Sequence, residues 1–143
     1  MRFRALQVLL ISCAIAILTW ISTPPAWALV QIKLSDISYK DCPPELAKGV
    51  VTSGDITRAN CFLVFGKTEN KSGKYVYNAD VFGRIYDANN NNVMPNRTRL
   101  GSIDEVPPGV GSFEIRISVP ANQPEPLKLR QFKASGFSGT VRR

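Results

Sequence analysis

The sequence predicts an all-β fold, an immunoglobulin-like antiparallel β-sandwich of about seven strands, preceded by a cleaved signal peptide. Three observations carry this. Apolar and polar residues alternate with a period of two in several short segments, most cleanly in Phe113-Glu114-Ile115-Arg116-Ile117-Ser118-Val119, the mark of a strand with one buried face. Clusters of Pro, Gly and Asn separate those segments. Beyond the first 28 residues, no long stretch repeats with the period of an amphipathic helix.

The N-terminus sets the compartment. Arg2 and Arg4 form a basic start, Ala5 to Ile21 is almost wholly apolar, Ser22-Thr23-Pro24-Pro25 breaks the run, and Ala26-Trp27-Ala28 is a small-x-small cleavage site. That order is what a secretory signal needs, so residues 1–28 read as a signal peptide cut after Ala28 and residues 29–143 as one domain. Two other fates of this segment stay open: an N-terminal membrane anchor, for which the run is at the short limit, and lipidation at Cys13, the last residue of the lipobox-like Leu10-Ile11-Ser12-Cys13. Cleavage removes Trp20, Trp27 and two cations, so the mature chain, Leu29 to Arg143, carries a net charge of +5 where the whole chain carries +7. Its two cysteines, Cys42 and Cys61, point to a disulfide in an oxidising space. The loop so closed, about 20 residues, is worth on the order of 3 kcal/mol.

Val30-Gln31-Ile32-Lys33-Leu34-Ser35 alternates as a half-buried strand, and Ile37 and Tyr39 continue it out of phase, which predicts a bulge near Asp36. Pro44 to Lys48 has helical tendency, ended by Gly49. Cys61-Phe62-Leu63-Val64-Phe65 is a dense apolar run suited to a central strand covered on both faces. Asn70 to Lys74 reads as a polar turn. The next strand sets Tyr77, Ala79, Val81, Gly83 and Ile85 on one face and Asn78, Asp80, Phe82, Arg84 and Tyr86 on the other. Asp87 opens an Asn-rich turn, Arg97 to Ile103 is a weaker strand, and Pro107-Pro108-Gly109 is a firm turn. After Phe113–Val119 and a Pro-bounded linker, Leu127-Lys128-Leu129-Arg130 alternates again, Phe132 and Ala134 shift phase, and Phe137 is expected to close the core. No core Trp faces the disulfide, so the fold is immunoglobulin-like and not a true immunoglobulin domain.

Gly66, the Asn70-Lys71-Ser72 turn, Val81, Ile85-Tyr86-Asp87, Val93, and Pro108-Gly109 followed by Phe113 form a pattern over residues 62–119. In this, the middle of the chain resembles an FxLYD-type domain, a small β-sandwich of exported bacterial proteins. Two positions depart from that pattern: Gly83 stands where the family has Phe, and an Asn run replaces its usual turn. The resemblance implies an accessory or binding role and supplies no site.

The chain has no His, which excludes Ser-His-Asp and Cys-His mechanisms. No cofactor and no metal are expected. Asp87-Ala88-Asn89-Asn90-Asn91 starts like a calcium loop, but Asn92 replaces the required Gly and Thr98 the required Glu, so a hairpin turn accounts for it. Asp104-Glu105 reads as a solvated pair. Asn70-Lys71-Ser72 and Asn96-Arg97-Thr98 are sequons that matter only in a glycosylating host. An enzyme built on paired carboxylates, such as a glycan hydrolase, would draw on Asp80 or Asp87 with Glu114.

The most informative asymmetry is charge. After Glu125 there is no acid, while Lys128, Arg130, Lys133, Arg142 and Arg143 are basic; Arg97, Arg99 and Arg116 join the same side if their strands are neighbours. These eight residues form a candidate patch for an anionic partner, a protein face, lipid headgroups or a cell-wall polymer, in the periplasm, at a cell surface or in a photosynthetic lumen. The competing account is a solvated face that aids solubility. The chain therefore reads as an exported, non-catalytic interaction or accessory module, one that would assist assembly of an envelope or membrane complex. The alternatives are a structural subunit that pairs through the edge of Leu127–Ala134 and the carboxylate enzyme. Nucleic acid is not an expected partner.

Overall fold

Alternation of apolar and polar side chains builds six strands: β1 (Leu29–Asp41), β2 (Ala59–Asn70), β3 (Val76–Tyr86), β4 (Arg99–Val106), β5 (Gly109–Pro120) and β6 (Lys128–Phe137). The structure, a computed structural model, describes residues 2–21, 29–52 and 56–139. The expected cleavage site at Ala28, together with Arg142 and Arg143, lies outside the described residues. The described residues also hold two helices, α1 (Arg2–Ile21) over the apolar N-terminal run and the single turn α2 (Pro44–Ala47). Leu6, Val8, Leu9, Leu10 and Ile11 of α1 are exposed. Among the described residues, no helix is long and apolar enough to cross a membrane.

All pairings are antiparallel, in the order β4-β3-β6-β1-β2-β5. The first residues of β1, Leu29 to Ile32, pair with β6, and the rest, from Lys33 to Asp41, pair with β2. One strand thus belongs to two half-sheets, β4-β3-β6-β1 and β1-β2-β5, which curl into a nearly closed, barrel-like sheet. Where β1 leaves β6, the Tyr39 hydroxyl crosses the gap and accepts the Leu127 amide at 2.9 Å. The all-β antiparallel class is as expected, but the described residues form six strands and the sheet is continuous. The phase change at Phe132 is a bulge inside one strand, not a break between two.

The curl has a repeated cause. Asp36 and Ile37 of β1 face the single residue Gly66; Asn78 and Ala79 of β3 face Gly136; Gln131 and Phe132 of β6 face Gly83. Each bulge holds one residue at positive φ, Asp36 at 51°, Asn78 at 49° and Gln131 at 56°. An extra residue bends a strand and increases its twist, and these three, with a fourth at Leu100 where β4 passes Val81 and Phe82 of β3, curl the sheet toward a barrel. The facing glycine is required by space. A Cβ on Gly136 would lie 2.7 Å from Val76 Cγ1 and 2.8 Å from the Tyr77 carbonyl; one on Gly83 would lie 2.7 Å from the Phe132 ring. Gly83, where the FxLYD pattern has Phe, is therefore the seat of Phe132 from the neighbouring strand.

The bulges also decide which face each residue takes. Val76, Ala79, Val81 and Ile85 are buried, and so are Phe113, Ile115, Ile117 and Val119 opposite them. Because Asn78 is bulged, Tyr77 sits on the outer face, not with Ala79 as the alternation predicts. Phe137 is 36% exposed and does not close the core. Ile32, Phe62, Val64, Leu127 and Ala134 complete the interior. Leu63, on the other face of β2, is buried too, as expected of a central strand. The Cys42–Cys61 disulfide pins the end of β1 to the start of β2, with Cα atoms 5.4 Å apart, beside the hydrogen bond from the Cys42 amide to the Cys61 carbonyl.

Candidate anion-binding face

β3 is the middle strand of the candidate site. Its inward residues fill the core, so Asp80, Phe82, Arg84 and Tyr86 point outward at two-residue intervals, about 7 Å apart. Register brings cations to both sides. Phe82 lies opposite Arg99 of β4 and Lys133 of β6, Arg84 opposite Arg130, and Tyr86 opposite Lys128. Arg130 also sits over the Tyr86 ring, 5.7 Å from its centroid. Around Phe82 the surface sinks into a groove of about 420 Å³ lined by Phe82, Gly83, Arg84, Thr98, Gln131 and Lys133.

Some of this charge is already used. The Arg99 guanidinium holds the Asp80 carboxylate, Nη2 to Oδ1 2.6 Å and Nε to Oδ1 2.8 Å. Lys128 Nζ donates to the Ala88 carbonyl and to Asn90 Oδ1, so it braces the Asn-rich turn. Among the described residues, neither Arg84 nor Lys133 has an acidic partner within ion-pair distance. Two unpaired cations beside a half-buried aromatic ring are what the face offers a ligand.

Of the eight residues expected in the patch, Arg99, Lys128, Arg130 and Lys133 come together on this face. Arg97 does not join them; its Nε donates to the Arg99 carbonyl, and it borders a second, more apolar cavity of about 430 Å³ near the end of β5. Arg116 is on β5, in the other half-sheet, opposite Leu63. Arg84 belongs to the face although the basic C-terminal run does not contain it. The register of β3 against β6 puts it there, and no pattern within β3 alone reports that register. The opposite end of the same outer face is apolar, with Leu29, Phe137 and Tyr77 in one cross-strand row and Tyr75 stacked on Tyr77.

The remaining candidate groups are engaged elsewhere. The Asp87 carboxylate accepts from the Asn89 and Asn91 amides, both at 2.8 Å, and from Asn91 Nδ2 at 3.0 Å. Burial pushes its pKa up, but the bonds from Asn91 and Asn89 and the nearby Lys128 charge outweigh that, and the carboxyl titrates below its ordinary value. Asn90, at φ 66°, makes the left-handed step of this turn. Among the described residues, no group of three or more metal-ligating side chains is present. Glu114 pairs with Lys40 at 3.0 Å, so the three carboxylates considered for catalysis each hold a different neighbour. Asp104 and Glu105 are exposed, at the end of β4 and not in a loop. Asn70 is 2% exposed. Its Nδ2 donates to the Lys74, Val106 and Pro107 carbonyls, and its Oδ1 accepts from Ser72. β6 lies between β3 and β1 in the sheet order, but only Ala134 to Phe137 pair with β1, so among the described residues Lys128 to Lys133 have a strand partner on the β3 side alone; the outermost strands of the sheet are β4 and β5.

A scan against protein-family models and searches among curated proteins and solved structures return no match.

Proposed function

We propose that this chain is an exported, non-catalytic interaction module that docks an anionic partner of the cell envelope on the outer face of β4-β3-β6. The observation that carries the reading is the cation row around Phe82, in which Arg84 and Lys133 have no acidic partner among the described residues. Like charges set side by side on a sheet repel; Arg84 opposite Arg130 is a cost that a bound anion removes. Export is supported by the signal-like residues 1–28 and by the Cys42–Cys61 disulfide, which is consistent with an oxidising space. A non-catalytic role is supported by the lack of His in the sequence and by the separate engagement of Asp80, Asp87 and Glu114. The two half-sheets that share β1 are our basis for keeping the immunoglobulin-like description, and the FxLYD resemblance fits the same accessory role.

The test is capture of the partner from its native setting. The mature protein, immobilised and exposed to an envelope extract, retains a defined component at low ionic strength and releases it as salt screens the contact. A mature domain that retains nothing at low salt contradicts the proposal.

A further inference from the structure

We infer that the groove at Phe82 is a saccharide subsite for a linear carboxylated glycan, with one acidic sugar ring resting on Phe82 and its carboxylate held by Arg84 and Lys133. This deepens the proposed anionic docking face and rests on it. Four observations point to this chemistry. The groove is concave, and its volume of about 420 Å³ lies within the roughly 300–1,000 Å³ typical of ligand sites. Its one aromatic lining residue is Phe82, whose neighbours across the sheet are Arg99 on one side and Lys133 on the other. A ligand unit must therefore offer a flat apolar face and a negative charge together, as the C–H face and carboxylate of a uronic acid do. The planar guanidinium of Arg84 matches a carboxylate through two parallel hydrogen bonds. Thr98 and Gln131 add donors and acceptors for sugar hydroxyls, and Gln131 is held at φ 56° by the bulge, a strained conformation of the kind found at functional sites.

Two other polyanions fit less well. Single-stranded nucleic acid needs successive open aromatic faces, and the second ring of the row, Tyr86, is covered by Arg130. A membrane surface is met by apolar side chains that protrude; on this face those are Leu29, Tyr75 and Phe137 at the opposite end, whereas Phe82, which lines the groove, is half-buried. The next cation along the strands, Arg130, lies beside Arg84, so the face continues past the groove in the direction a chain of charged units would follow.

The test titrates the mature protein with an oligomer of galacturonic acid and follows backbone amide shifts by NMR and affinity by calorimetry. The expected result is saturable binding with shifts centred on Phe82, Arg84 and Gln131. Methyl-esterification of the oligomer weakens binding at least tenfold. Phe82→Ala also weakens it at least tenfold, Phe82→Tyr by less than threefold, and Arg84→Gln about tenfold, each variant first checked for a wild-type circular dichroism spectrum. Equal binding of the esterified and free oligomers, or a folded Phe82→Ala or Arg84→Gln variant that binds as wild type does, overturns the inference. A wild-type protein that ignores the oligomer yet binds anionic phospholipid vesicles or an oligonucleotide through Arg84 and Arg130 overturns the saccharide subsite and leaves the docking face standing. No binding to any of the three polyanions at low salt overturns both.

Discussion

Single side chains at the two ends of the barrel hold its turns by saturating hydrogen bonds. Asp87 is the acidic case. Its pKa is lower in the folded chain than in the unfolded one, so the stabilisation it gives is complete above the unfolded value, about 3.9, and is lost as pH falls through the lower folded value. Wild-type protein is therefore expected to exceed Asp87→Asn in stability at neutral pH, with the gap closing below about pH 4. Urea unfolding at a series of pH values measures this, and a gap that does not change with pH contradicts it. Asn70 is the neutral case. Both its amide hydrogens and its oxygen are spent on the turns after β2 and β4, which leaves no room for a modification, whereas Asn96 is exposed. Produced in a glycosylating host, the folded secreted protein is expected to carry a glycan at Asn96 and none at Asn70. Glycopeptide mass spectrometry reads the outcome directly, and occupancy at Asn70 contradicts it.

Strands curl into a barrel-like sheet through four bulges, three of them faced by glycines. Gly136 is the tightest of these, with backbone or side-chain atoms of Val76, Tyr77 and Ala79 all within 3 Å of where a Cβ would stand. Gly136→Ala is expected to cost about 1–3 kcal/mol, the range for overpacking a filled site, measured by denaturant unfolding. A variant as stable as the parent would show that β3 does not fold against β6 as described. The disulfide acts at the same scale, joining Cys42 and Cys61 across a sequence separation of 19. Replacing both by Ser is expected to remove about 2–3 kcal/mol; an unchanged unfolding midpoint contradicts a bond that constrains the unfolded chain. The bulge at Asp36 was legible because Ile37 and Tyr39 break the alternation of β1. Those at Asn78 and Gln131 leave no such clear mark in the sequence. Tyr77 keeps an apparent alternation with Ala79, and the phase shift at Phe132 looks the same whether a strand bends or ends. Whether Gly83 and Gly136 are turn residues or seats for a neighbouring strand depends on cross-strand register, which no single strand encodes.

Over the whole molecule, periodicity and punctuation reveal the class, most of the strands and the disulfide, because each depends on residues close in sequence or on a simple count. The sheet order does not show, because it depends on which half of β1 pairs with which partner. For the same reason the sequence does not show which of its basic residues share a face. Arg99, Lys128, Arg130 and Lys133 meet because β4, β3 and β6 are neighbours; Arg116 is carried away on β5, and Arg84, central to the face, lies within a strand whose own pattern looks merely polar. The functional account thus depends on topology, on the register that gathers Arg84, Arg130 and Lys133 on one outer face.

The most direct measurement compares two charge-inverted proteins of equal net charge. One carries Arg84→Glu and Arg130→Glu on the outer face of β4-β3-β6; the other carries Arg116→Glu and Lys48→Glu elsewhere. With circular dichroism and melting temperature matching the parent, the first pair is expected to abolish salt-sensitive binding to envelope material and the second to leave it within threefold of wild type. Equal loss in both would show that binding follows net charge alone, and undiminished binding by the first would show that this face is not the docking surface.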